Sequence, residues 1–110
     1  MDTIKAMDAF AALAHDTRLD VFRLLIKQGE TGMAAGDMAE TLNLNQTTLS
    51  ANLAVLLRAG LIQSHRDGRS VRYAANLEGL RGLLRFIMED CCGGRAELCE
   101  PILKELVCDC

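Results

Sequence analysis

The spacing of apolar residues changes abruptly near Gly60, and that change restricts the fold of this chain more than any other feature of its sequence. Before Gly60, apolar residues recur every three or four positions, which is the spacing of one face of an α-helix. After it, apolar and polar residues alternate over residues 62–64 and again over residues 71–74, as they do in half-buried β-strands. Asp67 and Gly68, between these two runs, predict a type I′ hairpin turn because both residues tolerate a positive φ. The sequence therefore predicts a mainly α-helical fold that carries one β-hairpin.

Helical spacing predicts four helices before the hairpin. The first is amphipathic, and its apolar stripe consists of Ile4, Met7, Phe10, Ala11 and Ala14. The second is predicted to begin at a cap formed by Asp16 or Thr17 and to end at Gly29, where a short loop follows.

The third and fourth helices are close together in the sequence. Residues 36–42 predict a short helix, residues 43–45 a tight turn, and residues 46–58 a longer helix capped by Asn45, which is the outline of a helix-turn-helix. At 100° per residue the leucines of the longer helix fall on one side, and the opposite side carries Thr47, Ser50, Ala51, Ala54 and Arg58. Such a small polar face can approach base edges in the major groove of DNA, although a solvated helix face has a similar composition.

Positive charge is concentrated in the same part of the chain. The net charge is −3, but residues 45–75 hold four arginines and one acidic residue, whereas acidic residues outnumber basic ones on both sides. Arg66 and Arg69 fall at the tip of the predicted hairpin, and Arg72 follows on the returning strand. Directly after a helix-turn-helix, such a hairpin is typical of a wing that contacts the phosphate backbone or the minor groove. These features predict double-stranded DNA as a partner.

A long helix is expected after the hairpin, from about residue 77 to about residue 90. Its apolar stripe consists of Leu80, Leu83, Leu84, Ile87 and Met88. This stripe is broader than one small core requires, so we expect the first and last helices to form the interface of a homodimer. Two-fold symmetry suits a palindromic operator. Burial of the stripe within one protomer is the alternative.

The composition also argues against several classes of protein. No apolar run approaches the ~20 residues that a membrane-spanning helix needs, and the first residues do not form a secretory signal, so a cytoplasmic protein without a membrane partner is expected. No glycine-rich cofactor loop is present, and no Cys-x-x-Cys pair follows a strand. We therefore expect a protein that is not an enzyme and has no organic cofactor.

Three stretches of the chain resemble the ArsR/SmtB family of metal-responsive winged-helix repressors. Residues 14–25 are similar to the family's second helix, residues 45–61 to its recognition helix and residues 66–73 to its wing. The resemblance implies a dimeric winged helix-turn-helix repressor that releases its operator when an ion binds. It implies DNA contacts from Gln46, Thr47, Thr48, Ser50, Asn52, Arg58, Arg66, Arg69 and Arg72.

All five cysteines lie within the last 20 residues, at Cys91, Cys92, Cys99, Cys108 and Cys110. An odd number without an export signal argues against a disulfide framework and favours reduced thiols, metal ligands or redox chemistry. The third helix has no cysteine, and the last helix lacks the Asp and His ligands of the family's zinc sensors. Residues 91–99 instead resemble the C-terminal site of an arsenite-sensing branch of the family.

Trivalent arsenic and antimony are soft ions that prefer three thiolates in a pyramid, whereas structural zinc usually takes four ligands. We therefore assign Cys91, Cys92 and Cys99 to arsenite, antimonite or methylarsenite as inducer, with Cys108 and Cys110 as candidates for extra ligands. On this assignment residues 1–90 form the winged-helix DNA-binding and dimerisation domain, and residues 91–110 form a cysteine-rich sensor segment. Two alternatives stay open, namely a site for a divalent soft ion (cadmium, lead or zinc) and a switch driven by thiol oxidation.

Overall fold

The computed structural model of the protein describes residues 2–91 and 100–102, with side chains for residues 2–88 and 100–102. The helices of the main body are α1 (Thr3–Leu13), α2 (Asp16–Gln28), α3 (Ala35–Leu42), α4 (Gln46–Arg58) and α5 (Leu77–Cys91). A 3₁₀ turn (Gly29–Thr31) follows α2, and the strands are β1 (Met33–Ala34), β2 (Ile62–Asp67) and β3 (Ser70–Ala75). This order confirms the predicted mainly α-helical winged helix-turn-helix.

The turn between α3 and α4 depends on two asparagines. Asn43 has a φ of 54°, a left-handed conformation that asparagine adopts more readily than most residues, and it ends α3. Two residues later, Asn45 Oδ1 accepts a hydrogen bond of 2.7 Å from the backbone nitrogen of Thr48 and so caps the start of α4. The predicted cap and the predicted tight turn are both confirmed.

The hairpin is present, but its turn differs from the prediction. Asp67 pairs with Ser70, so the two-residue loop consists of Gly68 and Arg69. Gly68 has a φ of 65°, while neither Asp67 nor Arg69 has a positive φ. The predicted type I′ turn at Asp67 and Gly68 is therefore wrong. Glycine at the first central position is the type II′ pattern, which also matches strand twist and needs a positive φ at one residue alone.

A third strand adds to the hairpin on the side of β3, giving the order β1-β3-β2. In it, Met33 pairs with Tyr73 and Ala34 with Arg72. Gly32, just before β1, has a φ of 66°, and a Cβ at this position would overlap the carbonyl oxygen of Tyr73. Glycine is therefore required where the chain approaches β3.

The core lies between α2, α3, α4 and the base of the hairpin. Its most deeply buried large side chains are Val21, Leu25, Met38, Leu49, Leu56 and Leu61. The fully buried residues of α1 are three alanines, Ala6, Ala9 and Ala12, and Leu13 at the end of the helix packs against the core while partly exposed. Small side chains let a helix approach its neighbours closely, so the larger apolar residues of α1 remain outside.

Asn76 attaches the start of α5 to the end of α4. Its Nδ2 donates a hydrogen bond of 2.9 Å to the carbonyl oxygen of Gly60, and its Oδ1 accepts one of 3.2 Å from the nitrogen of Gly79. A Cβ at Gly79 would overlap that same carbonyl oxygen of Gly60. The first turn of α5 is therefore held directly against the turn that follows α4.

Over the described residues, no helix is both long enough and apolar enough to cross a membrane.

Candidate nucleic-acid interface

The outer face of α4 is small, polar and exposed. Leu49, Leu53 and Leu56 are buried, as the helical spacing predicts. The exposed residues are Gln46, Thr47, Ser50, Ala51, Ala54, Leu57 and Arg58. Leu57 is the exception to the predicted division, since it was placed with the buried leucines and is 36% exposed. We call the exposed side of residues 46–58 the α4 face.

The first turns of the α4 face carry its hydrogen-bonding groups. The amide of Gln46 and the hydroxyls of Thr47 and Ser50 can donate to and accept from base edges. In helix-turn-helix proteins, residues near the N-terminus of the recognition helix make the base contacts. Arg58, exposed in the last turn, provides a positive charge at the other end of the same face.

The hairpin that follows α4 presents positive charge at its tip. Arg66 is exposed near the end of β2, and Arg69 is exposed in the two-residue loop. Every residue of β2 after Ile62 is exposed, His65 included. A protruding, exposed and basic hairpin is suited to the phosphate backbone, where attraction does not depend on base sequence.

Arg72 does not belong to this basic tip. Its Nε donates a hydrogen bond of 2.8 Å to the carbonyl oxygen of Thr31, and its Nη2 donates one of 2.9 Å to that of Gly32. The side chain is half-buried and ties β3 to the turn before β1. Two sides of its guanidinium are bonded within the protein, which supports a structural role, and the predicted DNA contact at Arg72 stays a prediction.

Asn52 also has to be removed from the predicted base contacts. It is only 7% exposed, its Nδ2 donates a hydrogen bond of 2.9 Å to the carbonyl oxygen of Thr48, and its Oδ1 accepts one of 3.4 Å from Arg18. The sequence contained a signal for this position. Asn52 follows Leu49 by three residues and precedes Leu56 by four, so helical spacing places it on the buried side.

Thr48 lies at the edge of the α4 face. It is half-buried, its backbone nitrogen donates to Asn45 and its carbonyl oxygen accepts from Asn52. Its predicted DNA contact stays a prediction.

A second exposed surface on the molecule is apolar and lies on α1 and α5. Ile4, Met7 and Phe10 of α1 are 73%, 64% and 45% exposed, and Leu84 of α5 is 37% exposed. α1 and α5 are neighbours in the fold, so these side chains lie on adjoining helices. We call this surface the α1–α5 face.

The cysteine assignment falls almost wholly outside the described residues. Cys91 is the last residue of α5. Cys92, Cys99, Cys108 and Cys110 lie outside the described part of the chain, so their assignment stays a prediction. Among the residues whose side chains the structure describes, no three His, Cys, Asp or Glu side chains are grouped as a metal site.

Comparison with known proteins adds evidence that is independent of this geometry. A family model described as a helix-turn-helix domain matches residues 13–65, from the end of α1 into β2. The transcriptional repressor SdpR of Bacillus subtilis is 32% identical over 81 residues, which cover 74% of this chain and 87% of that protein. The chain belongs to the ArsR family of transcriptional regulators. Its matched relatives are DNA-binding regulators, which confirms the expectation of a protein that is not an enzyme.

Two further members of the family bear on its function. The arsenical resistance operon repressor of Bacillus subtilis is 36% identical over 83 residues, covering 76% of this chain and 75% of that protein. The solution structure of the homodimeric winged helix-turn-helix DNA-binding domain of a possible ArsR-family regulator from Mycobacterium bovis is 31% identical. It superposes with a TM-score of 0.63, covering 78% of this chain and 79% of that one.

Proposed function

We propose that this ArsR-family regulator is a homodimeric repressor that holds a two-fold symmetric operator and releases it when trivalent arsenic binds Cys91, Cys92 and Cys99. The observation that carries the DNA-binding part is the exposed, small and polar α4 face, followed in the chain by a hairpin in which Arg66 and Arg69 are exposed. Gln46, Thr47 and Ser50 read base edges in the major groove. Arg66 and Arg69 contact phosphates or the minor groove.

Dimerisation through the α1–α5 face supplies the symmetry. Ile4 and Met7 are more exposed than large apolar residues of a monomer usually are, and a second copy of the same face would cover them. The relative from Mycobacterium bovis is homodimeric, which supports a dimer, and the choice of the α1–α5 face rests on the exposed apolar side chains of this chain. Two recognition helices must be about 34 Å apart to enter successive major grooves on one side of DNA.

The thiol donor set fits trivalent arsenic. Three cysteines within nine residues provide three soft thiolates, and arsenic in this state bonds to three thiolates, or to two when it carries a methyl group. Antimonite has the same ligand preference. The identity of 36% with an arsenical resistance operon repressor supports this choice of inducer. Thiolates stay reduced in the cytoplasm, where we place the protein.

The position of Cys91 suggests how the thiol site communicates with DNA. Cys91 ends α5, and the other end of α5 is held against the turn after α4 through Asn76 and Gly79. A change in the packing of α5 would therefore reach the recognition helix of the same protomer. Coupling energies of ~1 to 3 kcal/mol are typical of allosteric proteins and would weaken operator binding roughly 5- to 150-fold.

A second candidate inducer is a divalent soft ion, favoured by the presence of five cysteines rather than three. Cys108 or Cys110 would supply the fourth ligand that cadmium, lead or zinc commonly takes. Thiol oxidation as the signal is a third candidate that uses the same residues.

The test begins with a DNA probe that the protein itself selects. The selected duplex is the sequence most enriched by the wild-type protein from a randomised pool, and the shuffled duplex has the same bases in scrambled order. Fluorescence anisotropy of the reduced protein on the selected duplex is then followed during separate additions of arsenite, zinc and peroxide. We expect release at near-stoichiometric arsenite, with zinc and peroxide ineffective.

Serine variants locate the site. Cys91→Ser, Cys92→Ser and Cys99→Ser are each expected to bind the selected duplex normally and to lose release by arsenite. The double variant Cys108→Ser, Cys110→Ser is the matched control and is expected to respond as the wild type does. Release of all three single variants by arsenite would overturn the site assignment. Release by zinc or peroxide alone would identify a divalent-ion sensor or a redox switch instead.

A further inference from the structure

We infer that Arg18 and Asn52 are positioning residues for operator recognition, because together they fix the rotation of α4 relative to α1 and α2. The inference rests on the DNA-binding function proposed above and names two residues that act on it without touching DNA. Neither lies on the α4 face.

The side chain of Arg18, which belongs to α2, caps the C-terminal end of α1. α1 ends without a glycine cap and has no basic residue in its last turn. Arg18 Nε donates a hydrogen bond of 2.6 Å to the carbonyl oxygen of Ala12, and Nη2 donates one of 3.4 Å to that of Ala11. The last carbonyl groups of a helix lack partners and form its negative end, so a guanidinium is stabilised there.

The third side of the same guanidinium reaches α4. Arg18 Nη1 donates a hydrogen bond of 3.4 Å to Asn52 Oδ1, and Asn52 Nδ2 donates one of 2.9 Å to the carbonyl oxygen of Thr48. Within the described residues, Asn52 is the one polar side chain that is classed as buried. A buried side-chain amide without hydrogen-bond partners lowers the stability of the fold. Because both the oxygen and the nitrogen of Asn52 are bonded, the amide is held in one orientation.

One of these bonds, from Arg18 to Asn52, is a directional contact between α4 and α2, while the bond from Asn52 to Thr48 lies within α4 and fixes the Asn52 side chain on its own helix. The inner side of α4 is otherwise made of leucines, and apolar contact is nondirectional, so it tolerates small rotations of a helix about its axis. Hydrogen bonds weaken steeply when their angles change. Because Asn52 is itself bonded to the first turn of α4 at Thr48, holding Asn52 through Arg18 sets the rotation of the helix and so the direction in which Thr47 and Ser50 point.

The two kinds of DNA binding should respond differently to the loss of these bonds. Hydrogen bonds to base edges need an accurately placed helix, whereas attraction between arginines and phosphates depends mainly on charge and salt. Loosening α4 is therefore expected to weaken binding to the selected duplex and to leave binding to the shuffled duplex nearly unchanged. A merely structural role would lower both affinities in proportion to the folded fraction.

The experiment compares Arg18→Gln and Asn52→Leu with Arg23→Gln, a matched control that removes the same charge from an exposed position on the same helix. Anisotropy is measured on both duplexes for each protein. We expect the first two variants to lose roughly 5- to 150-fold in affinity for the selected duplex, the range that ~1 to 3 kcal/mol of base discrimination corresponds to. Their affinity for the shuffled duplex is expected to stay within about twofold of that of Arg23→Gln.

The double variant Arg18→Gln, Asn52→Leu tests whether the two residues act as one unit. If they do, the double variant loses no more affinity than the weaker-binding single variant. Circular dichroism gives the folded fraction of each variant. If Arg18→Gln is unfolded, Arg18→Lys takes its place, because lysine keeps the charge but cannot bond in three directions at once.

Equal losses on both duplexes, or affinities equal to those of Arg23→Gln, would overturn the inference and leave the proposed function intact. Failure of the wild-type protein to enrich any duplex from the pool would overturn the proposed function itself.

Discussion

The two regions proposed to face DNA, the α4 face and the hairpin tip, are built and held in different ways. α4 is held from within, by buried leucines, by Asn52 and, at its end, by the contact between Gly60 and Asn76. The hairpin is packed at its base, where Ile62 and Ala74 are buried, and is braced by β1 and by the two hydrogen bonds of Arg72, while its tip is exposed. The packed helix carries the small polar groups together with Arg58, and the exposed hairpin carries Arg66 and Arg69. Sequence recognition and most of the charge attraction are thus assigned to separate elements.

The largest effect is expected where the hairpin is held. Gly32→Ala and Gly29→Ala form a matched pair, because both glycines have nearly the same backbone angles, with φ of 66° and 70°. Both variants should lose ~1 to 3 kcal/mol of unfolding free energy from backbone strain. Gly32→Ala should lose a further ~1 to 3 kcal/mol, because its new Cβ overlaps the carbonyl oxygen of Tyr73. Urea denaturation measures both, and equal losses would contradict the close approach of the two segments.

The next largest effect is expected from removing the two exposed arginines of the hairpin, and it distinguishes charge attraction from recognition of base sequence. Arg66→Gln combined with Arg69→Gln should weaken binding to the selected and the shuffled duplex alike, by roughly 30-fold per protomer at 0.15 M salt, and should reduce the salt slope by ~1.8. The control is Arg23→Gln combined with Arg85→Gln, which removes two exposed charges from α2 and α5. A loss confined to the selected duplex would show that the hairpin reads sequence after all.

The complementary change is on the α4 face. Thr47→Ala combined with Ser50→Ala removes two exposed hydroxyl groups without altering charge or the buried side of the helix. Affinity for the selected duplex should fall by roughly 10-fold, while affinity for the shuffled duplex and the salt slope stay the same. The anisotropy titrations already described measure both values. An unchanged preference between the two duplexes would remove these hydroxyls from the recognition surface.

The smallest effect concerns Arg72, which the structure assigns to the support of the hairpin. Arg72→Gln should lower the unfolding free energy by about 1 to 2 kcal/mol, because two carbonyl oxygens lose a charged donor. The salt slope of DNA binding should stay as in the wild type. A decrease of ~0.9 per protomer in that slope would mean that Arg72 does contact phosphate.

Most features determined by neighbouring residues could be predicted from the sequence, although the type and position of the hairpin turn could not. The cap at Asn45, the turn after α3 and the division of α4 into two faces each depend on a few adjacent residues. Features determined by distant residues could not. A strand of two residues is too short to show alternation, and β1 exists because Gly32 lets the chain pair with Tyr73.

The face of α1 that packs inward illustrates a different difficulty. The strongest apolar stripe of this helix, at Ile4, Met7 and Phe10, is exposed, and the core receives three alanines instead. Size, and not hydrophobicity, decided which face fits against α2 and α4. The internal hydrogen bonds of Arg72 could not be foreseen, because Thr31 and Gly32 are about 40 residues away in the sequence. The burial of Asn52 follows only when the helix is projected at 100° per residue, since the residue type alone suggests an exposed position. The cysteine site stays a prediction.

The burial of Asn52 has a practical consequence for transferring DNA specificity between regulators of this type. Suppose that every polar residue of another regulator's recognition helix were copied into this protein. Asn52 would then be replaced as well, and α4 would lose the hydrogen bonds of this side chain together with its original sequence preference. Exchanging only the outward positions, 46, 47, 50, 51 and 54, would leave that support in place. In this protein the recognition surface can be treated as an interchangeable module only if its inner hydrogen bonds stay with the host.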